Sequence, residues 1–554
     1  MQRLSGSGTS ERQAARNAAG IRRSTRVRRR KEPLVMDLTN RNFRTADGVH
    51  HSTVGVRDGH LHVHVEMPEG GRKLTEAEAR EHVLGILMAQ QYSIRKGMEL
   101  FKEEGEKSAV KELTTVHTMN TFVPVAQESL TREQKLRALR SLLFLTKKRC
   151  GRIKSRFCAD GSVQRKYTAK EDATSPTVIT DSIFITGAIE AHEGREVMVM
   201  DLPGAFLHAD NDEETYMLLK GQLAELMAKI EPSLYRPYIF TNSKGESMLY
   251  VRMQKALYGM LRSALLFYLK LVEDLRKYGF KLNPYDPCVA NATINGSQMT
   301  VTWHVDDLKV SHKDSVELTK FALYMSKIYG DNITVNRGKV HDYLGMDLDY
   351  STKGEFKIAM IKYLMKIFED FPEEIRSTAP SPAADHLFNV RDASEAKYLT
   401  EEQAKHFHHA VAQLLFVSAR ARRDIQTAVS FLTTRVKKPD EDDWGKLKRV
   451  LKYLKGTLHM KLTITVDDLS IIKWWVDASY NIHDDCKGHS GAMMSFGKGA
   501  ALSFSRKQKV NCRSSTESEL VGIDDALPSI LWARYFIEEQ GRISCSRTTS
   551  PRSC

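Results

Sequence analysis

Met299-Thr-Val-Thr-Trp-His-Val-Asp-Asp-Leu-Lys-Val-Ser311 decides how this chain is read. Met299, Val301, Trp303 and Val305 alternate with Thr300, Thr302 and His304, the period of a half-buried β-strand. The alternation breaks at Asp306-Asp307 and resumes with Leu308 and Val310. The pattern predicts a β-hairpin with two adjacent carboxylates at its tight turn. Such carboxylates repel unless a cation lies between them, and a hard divalent ion prefers oxygen ligands. Taken alone, the pair reads as a solvated Asp-Asp turn, a common feature. A metal site needs a further carboxylate.

Glu196-Val-Met-Val-Met-Asp-Leu-Pro-Gly-Ala-Phe-Leu-His208 supplies one. Residues 197–200 read as a short buried strand, ended by Asp201 and turned by Pro203-Gly204. A strand-end Asp beside a hairpin Asp-Asp is the carboxylate set of a two-metal nucleotidyl transferase. Here a resemblance appears. Asp201-Leu-Pro-Gly-Ala-Phe-Leu resembles the first catalytic motif of copia-type LTR retrotransposon reverse transcriptases. His304-Val-Asp-Asp resembles their second, usually Tyr-Val-Asp-Asp. The resemblance implies that Asp201, Asp306 and Asp307 are catalytic and bind two Mg²⁺ ions, with Mn²⁺ as a substitute.

Further motifs keep the family's order. Arg152-Ile-Lys-Ser-Arg-Phe-Cys-Ala-Asp-Gly161 puts Lys154 and Arg156 on one strand face and resembles the family's fingers strand. By that resemblance the two cations meet the triphosphate of an incoming nucleotide; by local sequence alone they equally suit a solvated face. Ala205-Phe206 sits where the family carries an aromatic beneath the nucleotide sugar, although Phe206 also suits core packing. Lys255-Ala-Leu-Tyr-Gly-Met-Leu-Arg262 resembles a Leu-Tyr-Gly signature, with Arg262 where Gln is usual. Asp342-Tyr-Leu-Gly-Met-Asp-Leu-Asp349 resembles a Leu-Gly strand that holds the primer end.

Helix starts are marked by capping boxes at Thr75/Glu78, at Thr131/Gln134 before a helix leading to Leu142–Phe144, and at Thr400/Gln403. Leu447, Val450, Leu451 and Leu454 form one apolar helix face among lysines, with Gly456 as C-cap. That basic helix suits a duplex backbone or plain solvent. Near the end, Ile472-Lys-Trp-Trp-Val-Asp477 and Ser514-Ser-Thr-Glu-Ser-Glu-Leu520 resemble the strand and helix of a copia-type ribonuclease H, making Asp477 and Glu517 its first two metal ligands. Leu531–Gly541 matches the helix before the family's next acidic strand. Arg542-Ile-Ser-Cys-Ser-Arg-Thr-Thr549 then resembles a segment that comes after that strand in the family, so ribonuclease H activity is expected to be absent.

The 554 residues carry 83 Lys+Arg against 69 Asp+Glu, a net charge of +14 that suits a polyanionic partner. Seven scattered cysteines without a Cys-x-x-Cys pair point to a reducing compartment and no zinc site. No apolar run is long enough for a membrane span. The basic cluster Arg22–Lys31 lies in a stretch that reads as disordered: a linker, a nuclear-import signal or a nucleic-acid arm.

The expected architecture is α+β: a right-hand polymerase of fingers, palm and thumb, then an incomplete α/β ribonuclease H-like domain. Its divisions are a disordered basic segment 1–72, fingers and palm 73–375, thumb and connection helices 376–465, and the last domain 466–554. The expected activity is RNA-directed DNA polymerisation. Its partners are an RNA template, a DNA primer and dNTPs, with other parts of a retrotransposon polyprotein and no membrane. The expected location is intracellular, in a cytoplasmic particle or the nucleus. The alternatives are an inactive relic and a domesticated non-catalytic nucleic-acid-binding protein.

Overall fold

The computed structural model describes residues 92–148 and 151–542, and two earlier strands by their backbone. The capping box at Thr75/Glu78, the Arg22–Lys31 cluster and the segment after Arg542 lie outside the described residues. Ser52–Arg57 and His60–Val65 pair antiparallel, inside the stretch expected to be disordered. Their sequences alternate, as in Leu61, Val63 and Val65 between histidines, a period-2 signal that composition alone hides.

A seven-stranded sheet comes first, with Leu139–Lys147 paired to Ile153–Asp160 on one side and Tyr216–Lys220 on the other. Helices Ile94–Thr118 and Gln222–Ile230 cover it, closing a core that includes Leu113, Leu143, Phe157, Met217 and Leu249. The capping box Thr131/Gln134 forms, but its helix spans only Arg132–Arg137. Leu142, Leu143 and Phe144 lie in the following strand rather than in a helix. A short apolar run fits either element, and pairing on both sides decides for the strand here.

The second sheet has six strands in the order Lys281–Asn283, Asp286–Ile294, Ser297–His304, Asp307–His312, Glu196–Asp201 and Thr334–Gly338. One face is apolar: Met299, Val301, Trp303, Leu308 and Val310 are all buried, and Tyr268 of helix Ser263–Tyr278 stacks on Trp303. The other face was expected to meet solvent, yet Thr300 and Thr302 are also buried. Helix Thr180–Glu193 covers it, and its Glu190 pairs with the fully buried Lys309. Tyr350 donates to the second oxygen of Glu190 at 2.7 Å, and Arg195 donates to Thr300 at 2.9 Å. A polar face is buried here because its groups partner one another.

Asp342–Asp349 was read as one strand. It is a hairpin, Val340–Tyr343 and Met346–Asp349, turned by Leu344 and Gly345 at φ 52° and 75°. Two consecutive left-handed residues are what a tight hairpin turn requires. Glu355–Ala359 continues this sheet, and Leu462–Thr465 completes it. Helices Ile361–Asp370, Glu401–Ser418, Gln426–Arg435 and Glu441–Gly456 thus lie between two strands that are neighbours in space. Thr400/Gln403 forms its capping box, Leu447, Val450, Leu451 and Leu454 are buried together, and Thr457 rather than Gly456 is the C-cap.

The last sheet has three strands, Lys473–Ser479, His489–Ser495 and Leu502–Lys507. The residues from Ser515 to Glu539 form one helix of 25 residues that runs through Pro528. It packs on this sheet through Gly522 and Ala526 and reaches the six-stranded sheet, where Asn283 donates to the Phe536 carbonyl at 3.2 Å. Among the described residues no helix is long and apolar enough to cross a membrane.

Candidate active site

Asp201 ends a strand held between two others, which fixes its height in the six-stranded sheet. In register, Asp307 lies directly opposite Asp201 and Leu308 opposite Met200. The hairpin turn consists of Val305 and Asp306, so one carboxylate sits in the turn and the other opens the returning strand. Val305 has φ 59°, a conformation that a β-branched residue adopts only under strain. The Asp306 carbonyl accepts from the Leu202 amide at 3.2 Å, tying the turn to the residue after Asp201.

The electrostatics are set by this register. Burial, then the Asp306 charge, raises the Asp201 carboxyl above its ordinary range, while Lys154 opposes the shift. Burial, then Asp306 and Asp201, raises Asp307, with His304 opposing and Asp342 adding to the shift. Asp306 is the leading charged neighbour of both. Among the described residues no three His, Cys, Asp or Glu side chains gather closely enough to hold one metal ion by themselves. Mutually repelling carboxylates nevertheless fit Mg²⁺, which takes one or two protein carboxylates and completes its shell with water and substrate phosphates.

Lys154 and Arg156 are exposed on alternate positions of Ile153–Asp160, as the sequence predicted, and Lys154 reaches the field of Asp201. Tyr258, which sequence reasoning did not single out as a site residue, joins the two halves. Its ring lies 4.6 Å from Phe206 and 5.2 Å from the Arg156 guanidinium. Burial, then Asp306, pushes its hydroxyl up to about 12. Its carbonyl accepts from Ala159 at 2.7 Å. A Cβ on Gly259, at φ +91°, would stand 1.9 Å from the Ala159 carbonyl oxygen, and one on Gly161 would stand 2.2 Å from that of Gly259. Only glycines permit this crossing. The Tyr-Gly dipeptide was the available signal.

Other expected residues sit differently. The Ala205 side chain is fully enclosed in the core, which removes it from contact with a substrate. Phe206 is half-buried between Tyr258 and Phe267. Arg262 forms ion pairs with Asp212 at 2.9 Å and Glu213 at 2.6 Å, so its charge is met within the chain rather than left for a phosphate. On the basic helix, Lys448 pairs with Glu373, and Lys446, Arg449 and Lys455 bond to Asn389, Ser381 and Ile375. Most of its cations therefore brace the fold. Glu517 accepts from the Arg513 amide at 2.6 Å, and Asp477 lies opposite Gly491.

Comparison with known proteins bears on this geometry. The family described as "Reverse transcriptase (RNA-dependent DNA polymerase)" matches residues 133–381, which contain both aspartate motifs. The chain is 24% identical over 466 residues to the "Retrovirus-related Pol polyprotein from transposon TNT 1-94" of Nicotiana tabacum, covering 80% of this chain and 33% of that protein. It is 23% identical over 473 residues to the "Truncated transposon Ty1-A Gag-Pol polyprotein" of Saccharomyces cerevisiae, covering 81% of this chain and 37% of that one. Over four fifths of its length the chain is thus similar to copia-type Pol polyproteins, and its reverse transcriptase match holds both aspartate motifs. It spans about a third of the length of these curated relatives. The mixed α/β fold is consistent with a reverse transcriptase domain.

Proposed function

We propose that this chain extends a DNA primer on an RNA template, transferring a nucleotidyl group from a dNTP to the primer 3′-hydroxyl. The observation that carries the proposal is the register that sets Asp307 opposite Asp201 with Asp306 in the turn between. In this reading the seven-stranded sheet is the fingers, the six-stranded sheet the palm and the helices from Glu401 to Gly456 the thumb. The last sheet and its helix are the ribonuclease H-like part.

Asp201, Asp306 and Asp307 are the metal ligands. Bound there, a pair of Mg²⁺ ions, or Mn²⁺ in their place, supplies Lewis-acid stabilisation of the attacking and leaving oxygens. Lys154 and Arg156 face the triphosphate as cations and fix its orientation. Tyr258 holds Arg156 and Phe206 in place, and Phe206 meets the sugar. Template, primer and the remainder of a polyprotein are the partners.

The test is primer extension on an RNA template with the purified chain and with Asp306→Asn. The near-isosteric amide removes a ligand charge and should slow extension by at least 10²–10³-fold, about 3–4 kcal/mol or more of transition-state stabilisation. Circular dichroism should remain native. Extension by the variant at the wild-type rate would overturn the assignment.

A further inference from the structure

Ile153–Asp160, the strand that carries Lys154 and Arg156, is laddered along one edge only. Leu139–Lys147 pairs with that edge, and among the described residues no strand pairs with the other. A free edge presents amides and carbonyls that need partners. Here side chains of the neighbouring helix supply them. Ser108 donates to the Ile153 carbonyl at 3.1 Å, and Ser155 donates to the Ser108 hydroxyl at 2.9 Å. The Phe157 amide donates to Glu112 Oε1 at 3.0 Å. Ser108 and Glu112 are four residues apart, on one face of helix Ile94–Thr118.

The bonded positions are 153, 155 and 157. The two cations alternate with them, exposed at 154 and 156 on the opposite face of the strand. What holds the inward positions therefore sets where the outward ones point. Of the three bonds, the one to Glu112 has a charged acceptor, which makes it the strongest. It also grips the residue next to Arg156. Burial raises the Glu112 carboxyl above its ordinary range, while the Phe157 amide, then Lys154 and Arg156, oppose the shift, so the carboxylate lies in the field of both cations.

We propose that Glu112 is a positioning residue for the incoming nucleotide: it holds Phe157 at the free edge and thereby aims Lys154 and Arg156 at the triphosphate. The inference rests on the assignment of those two cations to the triphosphate. Glu112 itself meets no substrate and acts through the strand.

Primer extension by the full chain, with the dNTP concentration varied, compares the wild type with Glu112→Met, Glu112→Gln and Lys154→Ala. Met fills the space of Glu112 without a strong acceptor, so the Phe157 amide loses its partner. Its KM for dNTP should rise about tenfold, with kcat within about twofold, because a loosened grip removes binding that ground and transition states share. Gln keeps an oxygen for the amide and should hold KM within about twofold of the wild type. Hydrogen exchange around Phe157 should quicken in Glu112→Met and not in Glu112→Gln, while circular dichroism stays native in both. Lys154→Ala should raise KM as well. A wild type that does not extend primers, or a Lys154→Ala with unchanged KM, fells the triphosphate assignment and this inference with it. If Lys154→Ala raises KM and Glu112→Met does not, the assignment stands and the role of Glu112 is overturned. It is overturned also if Glu112→Gln is as impaired as Glu112→Met, or if the loss in Glu112→Met falls on kcat alone.

Discussion

Two strands of this chain present an aspartate at the surface of a sheet, and they differ in what stands opposite. Glu196–Asp201 is an inner strand, and across from Asp201 lies Asp307, with Asp306 one residue away. Lys473–Ser479 is an edge strand, and across from Asp477 lies Gly491, which has no side chain. The sequence reads the two alike, as an apolar run closed by Asp. What makes the first a candidate site is its neighbour. The next strand delivers charges to the same height, and a buried Glu190–Lys309 pair anchors that strand from beneath. An acid on an edge strand without such a neighbour remains a solvated carboxylate.

The comparison is broken most severely by removing the anchor. Lys309→Met leaves Glu190 buried with Tyr350 as a partner but without its cation. An uncompensated buried charge costs about 3–5 kcal/mol, readable in urea unfolding. Lys309→Met/Glu190→Gln keeps an acceptor for Tyr350 and should recover most of that loss. Equal stability of the single variant and the wild type would show that the pair does not anchor the hairpin.

Phe206 sharpens the comparison next, since its ring packs on Tyr258 beside the first strand end. Phe206→Ala or Val should relax sugar choice, raising ribonucleotide relative to deoxynucleotide incorporation roughly 10–100-fold, the size of about 1–3 kcal/mol of steric discrimination. Side-by-side incorporation assays measure the ratio. An unchanged ratio assigns the ring to packing against Tyr258 and Phe267 alone.

A smaller effect comes from the repulsion itself. Asp307 is raised by burial first, then by Asp306 and Asp201. A carboxyl raised in the folded state releases its proton more readily in the unfolded chain. Stability therefore falls as pH climbs from the unfolded value, about 3.9, through the folded one, and the penalty is complete above it. Asp307→Asn removes that penalty. Without Mg²⁺ its Tm should exceed the wild type by a few degrees near neutral pH, the gap closing below about pH 4. Mg²⁺ should raise the wild-type Tm more than that of the variant. A variant melting no higher than the wild type at neutral pH would remove repulsion from the account.

How much of the molecule was legible in the sequence depends on the range of the interactions. The Asp306-Asp307 hairpin, the strand ending at Asp201 and the exposed pair Lys154/Arg156 are local patterns, and they stand where periodicity put them. The strand at Leu142–Phe144, read as helix, depended on pairing with Arg156–Cys158 on one side and, at Phe144, with Ser93 about 50 residues earlier on the other. The burial of Thr300 and Thr302 depended on helix Thr180–Glu193 carrying a glutamate for Lys309. The ion pairs of Arg262 were not legible, because Asp212 and Glu213 lie about 50 residues earlier and show no pattern with it. Tyr258 became visible only when Phe206 and Arg156 were brought to its two sides.

The smallest expected effect is no effect, at the second strand end. Asp477→Asn should change neither primer extension nor the cleavage of an RNA–DNA hybrid, which the 554-residue chain should not cut above background. Cleavage by two ions needs several carboxylates converging from different elements. Opposite Asp477 is Gly491, and Glu517 is turned to accept from the Arg513 amide at the start of its own helix. Asp525 accepts from Ser490 at 2.8 Å, a contact that fastens the helix to the sheet. Glu517 and Asp525 are thus each engaged in a structural bond of their own, whereas Asp201 and Asp307 are set opposite each other by a strand ladder. Incubating the chain with a labelled hybrid in Mg²⁺ and then in Mn²⁺, beside Asp477→Asn, measures the difference. Metal-dependent cleavage that disappears in Asp477→Asn would mean that the two acids converge in solution, and the contrast between the two strand ends would fall.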